Sequence, residues 1–341
     1  MKSSYEGKTI LITGGVGSIG SALLRELLKY NPETIRVLDI NETGLFNLKQ
    51  ELNKNNVRFL VGDIRDANRL VRAIEDVDIV FHAAALKHVP LCESNPFEVV
   101  QTNVLGTKNL IEAAMQQEVE KLIVISTDKA VNPVNVLGAS KLLAERLTIS
   151  ANFYKGKRRT VFSCVRFGNV LNSQGSVLPV FIEQISSGGP VKVTDEGMTR
   201  FVMSIDNAVK LVLKASQMAQ GGETFILKEM AALRIKDLAE ALIAEVAPAY
   251  GYNANEIKIE FIGKRDGEKL YEELMNEYEA EIAYETEDMF ILSPFNNRKD
   301  RGEIQTKVYK SKDSDLMSLD QIRRLLRSIL SEKLKTSLID A

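Results

Sequence analysis

Thr9-Ile10-Leu11-Ile12-Thr13-Gly14-Gly15-Val16-Gly17-Ser18-Ile19-Gly20 decides the fold. Its first five residues read as a buried strand, and Ile19, Leu23 and Leu27 then recur at helical spacing. Asn31-Pro32 ends that helix. A second strand, Ile35 to Leu38, ends on Asp39, 19 residues after Gly20. Strand, glycine turn, helix, strand and acid in this order specify a dinucleotide site. Gly14 permits the tight turn, Gly17 lets the backbone approach a pyrophosphate, and Gly20 lets the helix pack closely. The first helical residues, Ser18 and Ile19, bring N–H groups and a positive dipole end to the phosphates. Asp39 argues for NAD over NADP, because a carboxylate accepts from a free ribose hydroxyl and repels a phosphate. Arg36, three residues earlier, is expected to face elsewhere.

The same rhythm continues. A third strand, Val57 to Val61, leads into Asp63 and Ile64, placed to meet an adenine, or Asp63 simply caps a helix. A fourth, Asp78 to Phe81, runs into His82 and then Ala83 and Ala84, and the small alanine side chains let a cofactor lie near the backbone. His82 reads as a packed core histidine, and Lys87 as a group that reaches a substrate phosphate or sugar. Asn95-Pro96 starts a long helix by cap and first-turn proline; it carries Asn103 and ends near Gln117. A fifth strand, Leu122 to Ile125, stops on Ser126-Thr127-Asp128-Lys129. Hydroxyl, acid and amine then lie at the carboxyl edge of a sheet, where open α/β folds bind ligands, and together they suit proton traffic. Beyond Asn132-Pro133 a helix begins near Gly138 and carries Lys141. A sixth strand, Thr160 to Arg166, ends on Phe167-Gly168-Asn169-Val170.

Strands alternating with helices predict an α/β fold: a doubly wound parallel Rossmann sheet with a smaller carboxy-terminal substrate-binding lobe. Residues 1–170 are assigned to the NAD-binding domain, and 171–341 to the lobe, with segments returning to the main sheet. In the second half, Asp206 is expected to cap a helix to about Met218. Lys264 to Lys269 turns into a last substantial helix, and the acidic stretch Glu277 to Glu287 forms a solvated face. An amphipathic closing helix starts near Leu316, and the final residues fray.

The 341 residues include 45% hydrophobic and 26% charged side chains, enough for a sizeable core. A formal net charge of −2 gives no reason to expect nucleic acid or an anionic membrane. The apolar runs are strand length, so no membrane span is expected. The start, MKSSYEGK, has no apolar run before the first strand, so no secretory signal is expected. Cys92 and Cys164 read as reduced thiols of a cytoplasmic protein, and two histidines without nearby cysteines predict no metal site.

The segments HAAALKHVP, STDKAVNPVNVLGASK, RFGNV, MTRF and DGEKLYEEL, with the G-x-x-G-x-x-G spacing, resemble one family. It is the UDP-N-acetylglucosamine 4,6-dehydratases of polysaccharide and nonulosonic acid biosynthesis, which are extended short-chain dehydrogenase/reductases. The resemblance runs from about Lys8 to about Leu274. It implies an NAD-dependent lyase acting on a UDP-sugar, assembled as a homo-oligomer, dimer or hexamer. Carbon 4 of the sugar is oxidised, water is eliminated across carbons 5 and 6, and hydride returns to carbon 6. By resemblance Thr127 orients the 4-hydroxyl and Lys141 holds the nicotinamide ribose. Asp128 protonates the leaving 6-hydroxyl and Lys129 takes the carbon 5 proton. Val170 joins the cofactor residues. Arg200 and Arg265 meet the diphosphate, Asn169 and Lys87 the sugar or diphosphate, and Glu268 uridine or ribose hydroxyls. Short-chain dehydrogenases place a tyrosine four residues before the lysine; here that position is Leu137. Two other readings compete. A 4-epimerase needs no acid–base pair for carbons 5 and 6, so Asp128-Lys129 argues against it. A non-catalytic NAD-sensing homologue is favoured by Leu137 and opposed by Thr127, Asp128, Lys129 and Lys141.

Overall fold

The structure is a computed structural model and describes residues 2–293 and 308–337. The expected fraying of the final residues, 338–341, lies outside the described residues.

A nine-stranded sheet organises the first compact unit. Its strands β1 (Thr9–Thr13), β2 (Thr34–Asp39), β3 (Val57–Val61), β4 (Ile79–His82), β5 (Lys121–Thr127) and β6 (Val161–Phe167) are parallel, in the order 3-2-1-4-5-6. Apolar side chains on both faces of β1, β4 and β5 explain why they run centrally: helices cover both sides. Thr224–Leu227 adds a further parallel strand beside β6, and Met289–Leu292 and Ala283–Glu285 close that edge antiparallel. The order reverses between β1 and β4, the point where doubly wound sheets open a crevice at their carboxyl edge. The predicted α/β sheet with a Rossmann order is what the chain forms.

The first unit comprises Met1–Phe167, Ile205–Glu229 and Leu274–Val308; the second comprises Gly168–Ser204, Met230–Glu273 and Tyr309–Ala341. The second has its own core, in which Leu178, Phe181, Leu238, Leu242, Ile322 and Leu326 are buried. Its three-stranded sheet pairs Asn169–Val170 parallel, and Ala231–Arg234 antiparallel, with Thr199–Met203.

Several local expectations are corrected. The helix after Asn95 is interrupted: Pro96–Val99 passes into a π-helical segment, Val100–Leu105, before Gly106–Gln116. Asn95 makes no cap bond to it; its amide donates to the Leu91 carbonyl of the preceding turn. Asp206 lies inside the first turn of the helix Ile205–Met218 and so does not precede it as a cap. The turn at 264–269 leads into extended backbone, since Thr199 N–H bonds Leu270 O and Glu272 N–H bonds Ser311 Oγ. A short helix, Glu277–Ile282, follows, closed by a capping box between Asn276 and Glu279. The acidic stretch there is not wholly solvated: Glu279 is buried because Arg166 draws it inward. The closing helix runs from Leu319 to Ser337.

Candidate active site

The glycine turn is built by close approach of two strand ends. Gly14 has φ +67°, and a Cβ there would come within 2.6 Å of Ala84 N. A Cβ on Gly20 would strike the carbonyl oxygen of Gly14. Gly17 caps the helix Ser18–Leu27, and a Cβ there would meet only Gly14 O, at 3.2 Å, so its outer side stays open to a ligand. Asp39 Oδ2 accepts from Val16 N–H at 3.1 Å, and Oδ1 from Asn41 N–H at 3.0 Å. The acid thus ties the end of β2 to the turn and remains half-buried with lone pairs to spare. These residues fit a dinucleotide: a helix amino terminus at Ser18 for the phosphates and a carboxylate at the ribose position. Arg36 faces away, donating to the Ala73 and Glu75 carbonyls. Asp63 pairs with Arg65, while Asp66 caps the next helix by accepting from Arg69 N–H. Ile64 is buried against Gly106.

At the end of β4, Ala83 N–H bonds Thr13 O, and the following loop is held by Asn103. The Asn103 carbonyl accepts from Leu86 N–H at 2.8 Å; its amide donates to Leu86 O and to Ser140 Oγ, each at 3.0 Å. His82 is buried between Thr13 Oγ1, 2.7 Å from Nδ1, and Thr107 Oγ1, 3.0 Å from Nε2. Thr107 spends its proton on Asn103 O, so Nε2–H donates to Thr107 and Nδ1 accepts from Thr13. Burial, then the charge of Lys141, pushes the His82 pKa down to about 3. It is a neutral core group.

The end of β5 carries the chemistry. Thr127 Oγ1 donates to Asp128 Oδ1 at 2.8 Å, and Lys129 Nζ lies 3.0 Å from the same oxygen. Asp128 is fully buried, and its Oδ2 has no hydrogen-bond partner among the described residues; nor has the buried Ser126 Oγ beside it. Buried polar atoms are seldom left so, and ligand sites are one place where they are. The helix Val136–Tyr154 is capped by Asn135, whose side chain accepts from Gly138 N–H. It buries Lys141, which donates from Nζ to Ile125 O at 2.6 Å. Burial pushes the Lys141 pKa down, and the charge of Glu145 opposes that shift. Leu137 packs with Cys92 and Val99, an apolar setting with no proton to exchange. Lys87 is exposed.

In the second unit, Asn169 and Val170 pair with Val202 and Met203. Arg200 is buried, donating to the Thr199, Leu270 and Lys269 carbonyls, with Glu272 at 3.8 Å from Nε. Much of its guanidinium therefore serves its own backbone. Arg265 is exposed, on a turn where its N–H donates to Glu268 Oε2 and its carbonyl accepts from Glu268 N–H.

Sequence reasoning passed over Thr13, Thr107, Ser140, Glu145 and Glu279. Glu145 follows Lys141 by one helical turn, which was a usable signal; nothing in the acidic run around Glu279 set that residue apart.

Comparison with known proteins places the chain. It is 62% identical over 325 residues to a Methanocaldococcus jannaschii protein named uncharacterized membrane protein MJ1061, covering 95% of this chain and 97% of that one. Among the described residues no helix is long and apolar enough to cross a membrane. It is 41% identical over 292 residues to UDP-N-acetylglucosamine 4,6-dehydratase (inverting) of Campylobacter jejuni, covering 85% and 84%. It is 38% identical over 348 residues to UDP-glucose 4-epimerase of Rickettsia bellii, covering 98% and 100%. It spans about half the length of capsular polysaccharide biosynthesis protein CapD of Staphylococcus aureus, 46%, at 47% identity. Pen from Bacillus thuringiensis superposes with TM-score 0.90 at 44% identity, covering 95% of this chain and 98% of that one. The Thermus thermophilus UDP-glucose 4-epimerase complex with NAD gives TM-score 0.62 at 25% identity, covering 76% and 88%. The polysaccharide biosynthesis protein family matches residues 10–294, and the chain belongs to that family of extended short-chain dehydrogenase/reductases.

Proposed function

We propose that the protein is an NAD-dependent sugar-nucleotide 4,6-dehydratase acting on UDP-N-acetylglucosamine. The coarser assignment, a sugar-nucleotide-modifying short-chain dehydrogenase/reductase, is supported by relatives named for both dehydratase and epimerase activities. NAD is supported by the glycine turn with Asp39 and by a fold shared with an NAD complex. Bound NAD would supply the hydride acceptor and donor at the sugar.

The observation that carries the dehydratase over the epimerase is the Lys129–Asp128 pair, 3.0 Å apart at the end of β5. One proton moved across that hydrogen bond converts the ion pair into a carboxylic acid and a free amine. Acid and base then face the substrate together with no proton drawn from outside. The Lys129 amine takes the carbon 5 proton, and the Asp128 carboxyl gives its proton to the departing 6-hydroxyl, which leaves as water. The pair returns to ammonium and carboxylate, so protons balance. Exchange of a hydride at carbon 4 alone requires neither group. Thr127 orients the 4-hydroxyl, and Lys141 favours the alkoxide by its charge. With Leu137 in the tyrosine position, a water relayed through Thr127 or Lys141 takes the 4-hydroxyl proton.

Arg265, Arg200, Asn169, Lys87 and Glu268 are the proposed contacts to the UDP-sugar, and a homo-oligomer, dimer or hexamer, is part of the proposal. Incubation with UDP-N-acetylglucosamine followed by proton NMR tests it. A 6-deoxy-4-keto product, seen as a new methyl doublet, is expected. A 4-epimer alone, or unchanged substrate with NAD bound, would overturn the dehydratase reading.

A further inference from the structure

Arg166 is the largest fully buried side chain of the described residues, and two carboxylates hold it. Nε and Nη2 meet Glu145 at 3.0 and 2.6 Å; Nη1 and Nη2 meet Glu279 at 2.9 Å each. Nη1 also donates to Leu274 O. Two carboxylates on one guanidinium leave one negative charge over inside the first unit, met in part by the exposed Arg146, whose charge also acts on Glu279. A surplus buried charge is costly unless something balances it.

The location points to the balancing group. Arg166 stands opposite Ser126 in the β5–β6 register, one residue before Thr127 and Phe167 pair. Glu145 follows Lys141 by four positions on the same helix, so the two side chains are neighbours on one face, and both are buried. The other ionisable groups facing Lys141 carry no net charge to offer. His82 on β4 is neutral, and burial holds the Cys164 thiol on β6 protonated. Asp128 and Lys129, at the end of β5, neutralise each other.

The geometry points to Glu145, Arg166 and Glu279 as the built-in counter-charge that keeps Lys141 an ammonium. Glu279 is then a positioning residue: it acts on the site through Arg166 and Glu145, from a segment more than a hundred positions further along the chain. The role matters because Leu137 leaves no tyrosine to share the proton chemistry, so the charge of Lys141 is what favours the alkoxide. The inference rests on the proposed role of Lys141, but its test needs no turnover.

The test follows the titration of Lys141 by carbon NMR in protein labelled at the lysine ε carbons, with the signal assigned by its absence in Lys141→Met. Glu279→Gln removes the surplus charge and keeps size and acceptors. Its Lys141 midpoint should fall by about one pH unit. Glu279→Asp, which keeps the charge, should stay near the wild type. An unchanged midpoint in folded Glu279→Gln would overturn the inference, whether or not the protein proves to be a dehydratase. Should Glu279→Gln fail to fold, Lys141→Met gives the same answer. Without the ammonium, the surplus carboxylate charge takes up a proton, so this variant should gain stability relative to wild type as pH falls from neutral. Parallel pH profiles of urea unfolding would contradict the inference.

Discussion

Asn103 brackets the backbone of Leu86, accepting its N–H at 2.8 Å and donating to its carbonyl at 3.0 Å. The second amide hydrogen reaches Ser140 Oγ, and that hydroxyl donates to Leu137 O. One side chain therefore joins the loop after β4 to the helix that carries Lys141. The π-helical segment 100–105 contains it, and such bulges are frequent at functional sites.

Asn103→Leu keeps the bulk and removes the bonds to Leu86 and Ser140. The stranded Leu86 groups should cost about 1 to 3 kcal/mol of stability. NAD affinity should fall as well, since residues 83–86 would lose their anchor. Urea unfolding and NAD titration measure the two effects separately.

His82 predicts a specific acid sensitivity. Its folded pKa lies near 3, below the usual 6.5 that the unfolded chain restores. Between these values only the unfolded state binds the proton. The contribution is therefore fully present above about 6.5 and is lost as pH falls, at up to about 1.4 kcal/mol per unit. Unfolding free energy measured from pH 7 to 4 should show this slope, and His82→Gln should remove it.

The two arginines expected at the diphosphate should behave differently. Arg200 is buried on three backbone carbonyls beside Glu272, so Arg200→Ala should cost about 3 to 5 kcal/mol of stability. Arg265 is exposed, so Arg265→Ala should leave stability unchanged and weaken UDP binding about tenfold or more, equivalent to about 1.4 kcal/mol. Calorimetric titration with UDP checks the second expectation, and unchanged affinity would remove Arg265 from the site.

What was legible in the chain was local. The glycine turn, Asp39 and the run from Thr127 to Lys129 sit within single strand ends, where a few consecutive residues dictate backbone and side-chain placement. The parallel sheet followed from the alternation of strands and helices; the order of its strands did not. Partners distant in sequence were not legible. Nothing in the sequence around Arg200 shows that its guanidinium also meets the carbonyls of Lys269 and Leu270, some seventy positions on. Glu279 reads as one more solvated acid until Arg166, 113 residues earlier, claims it. The segment at 270–275 looks helical by composition, but hydrogen bonds from Thr199 and to Ser311 hold it extended.

The central claim is that Lys129 and Asp128 act as base and acid in the elimination. Solvent deuterium incorporation at carbon 5, followed by proton NMR in deuterated water with UDP-N-acetylglucosamine, tests it most directly. Wild type should incorporate deuterium and release the 6-deoxy-4-keto product. Lys129→Ala should lose incorporation, and Asp128→Asn should stall before water loss, each by about 10² to 10⁴-fold. Dehydration and deuterium incorporation at the wild-type rate in Lys129→Ala would contradict the account.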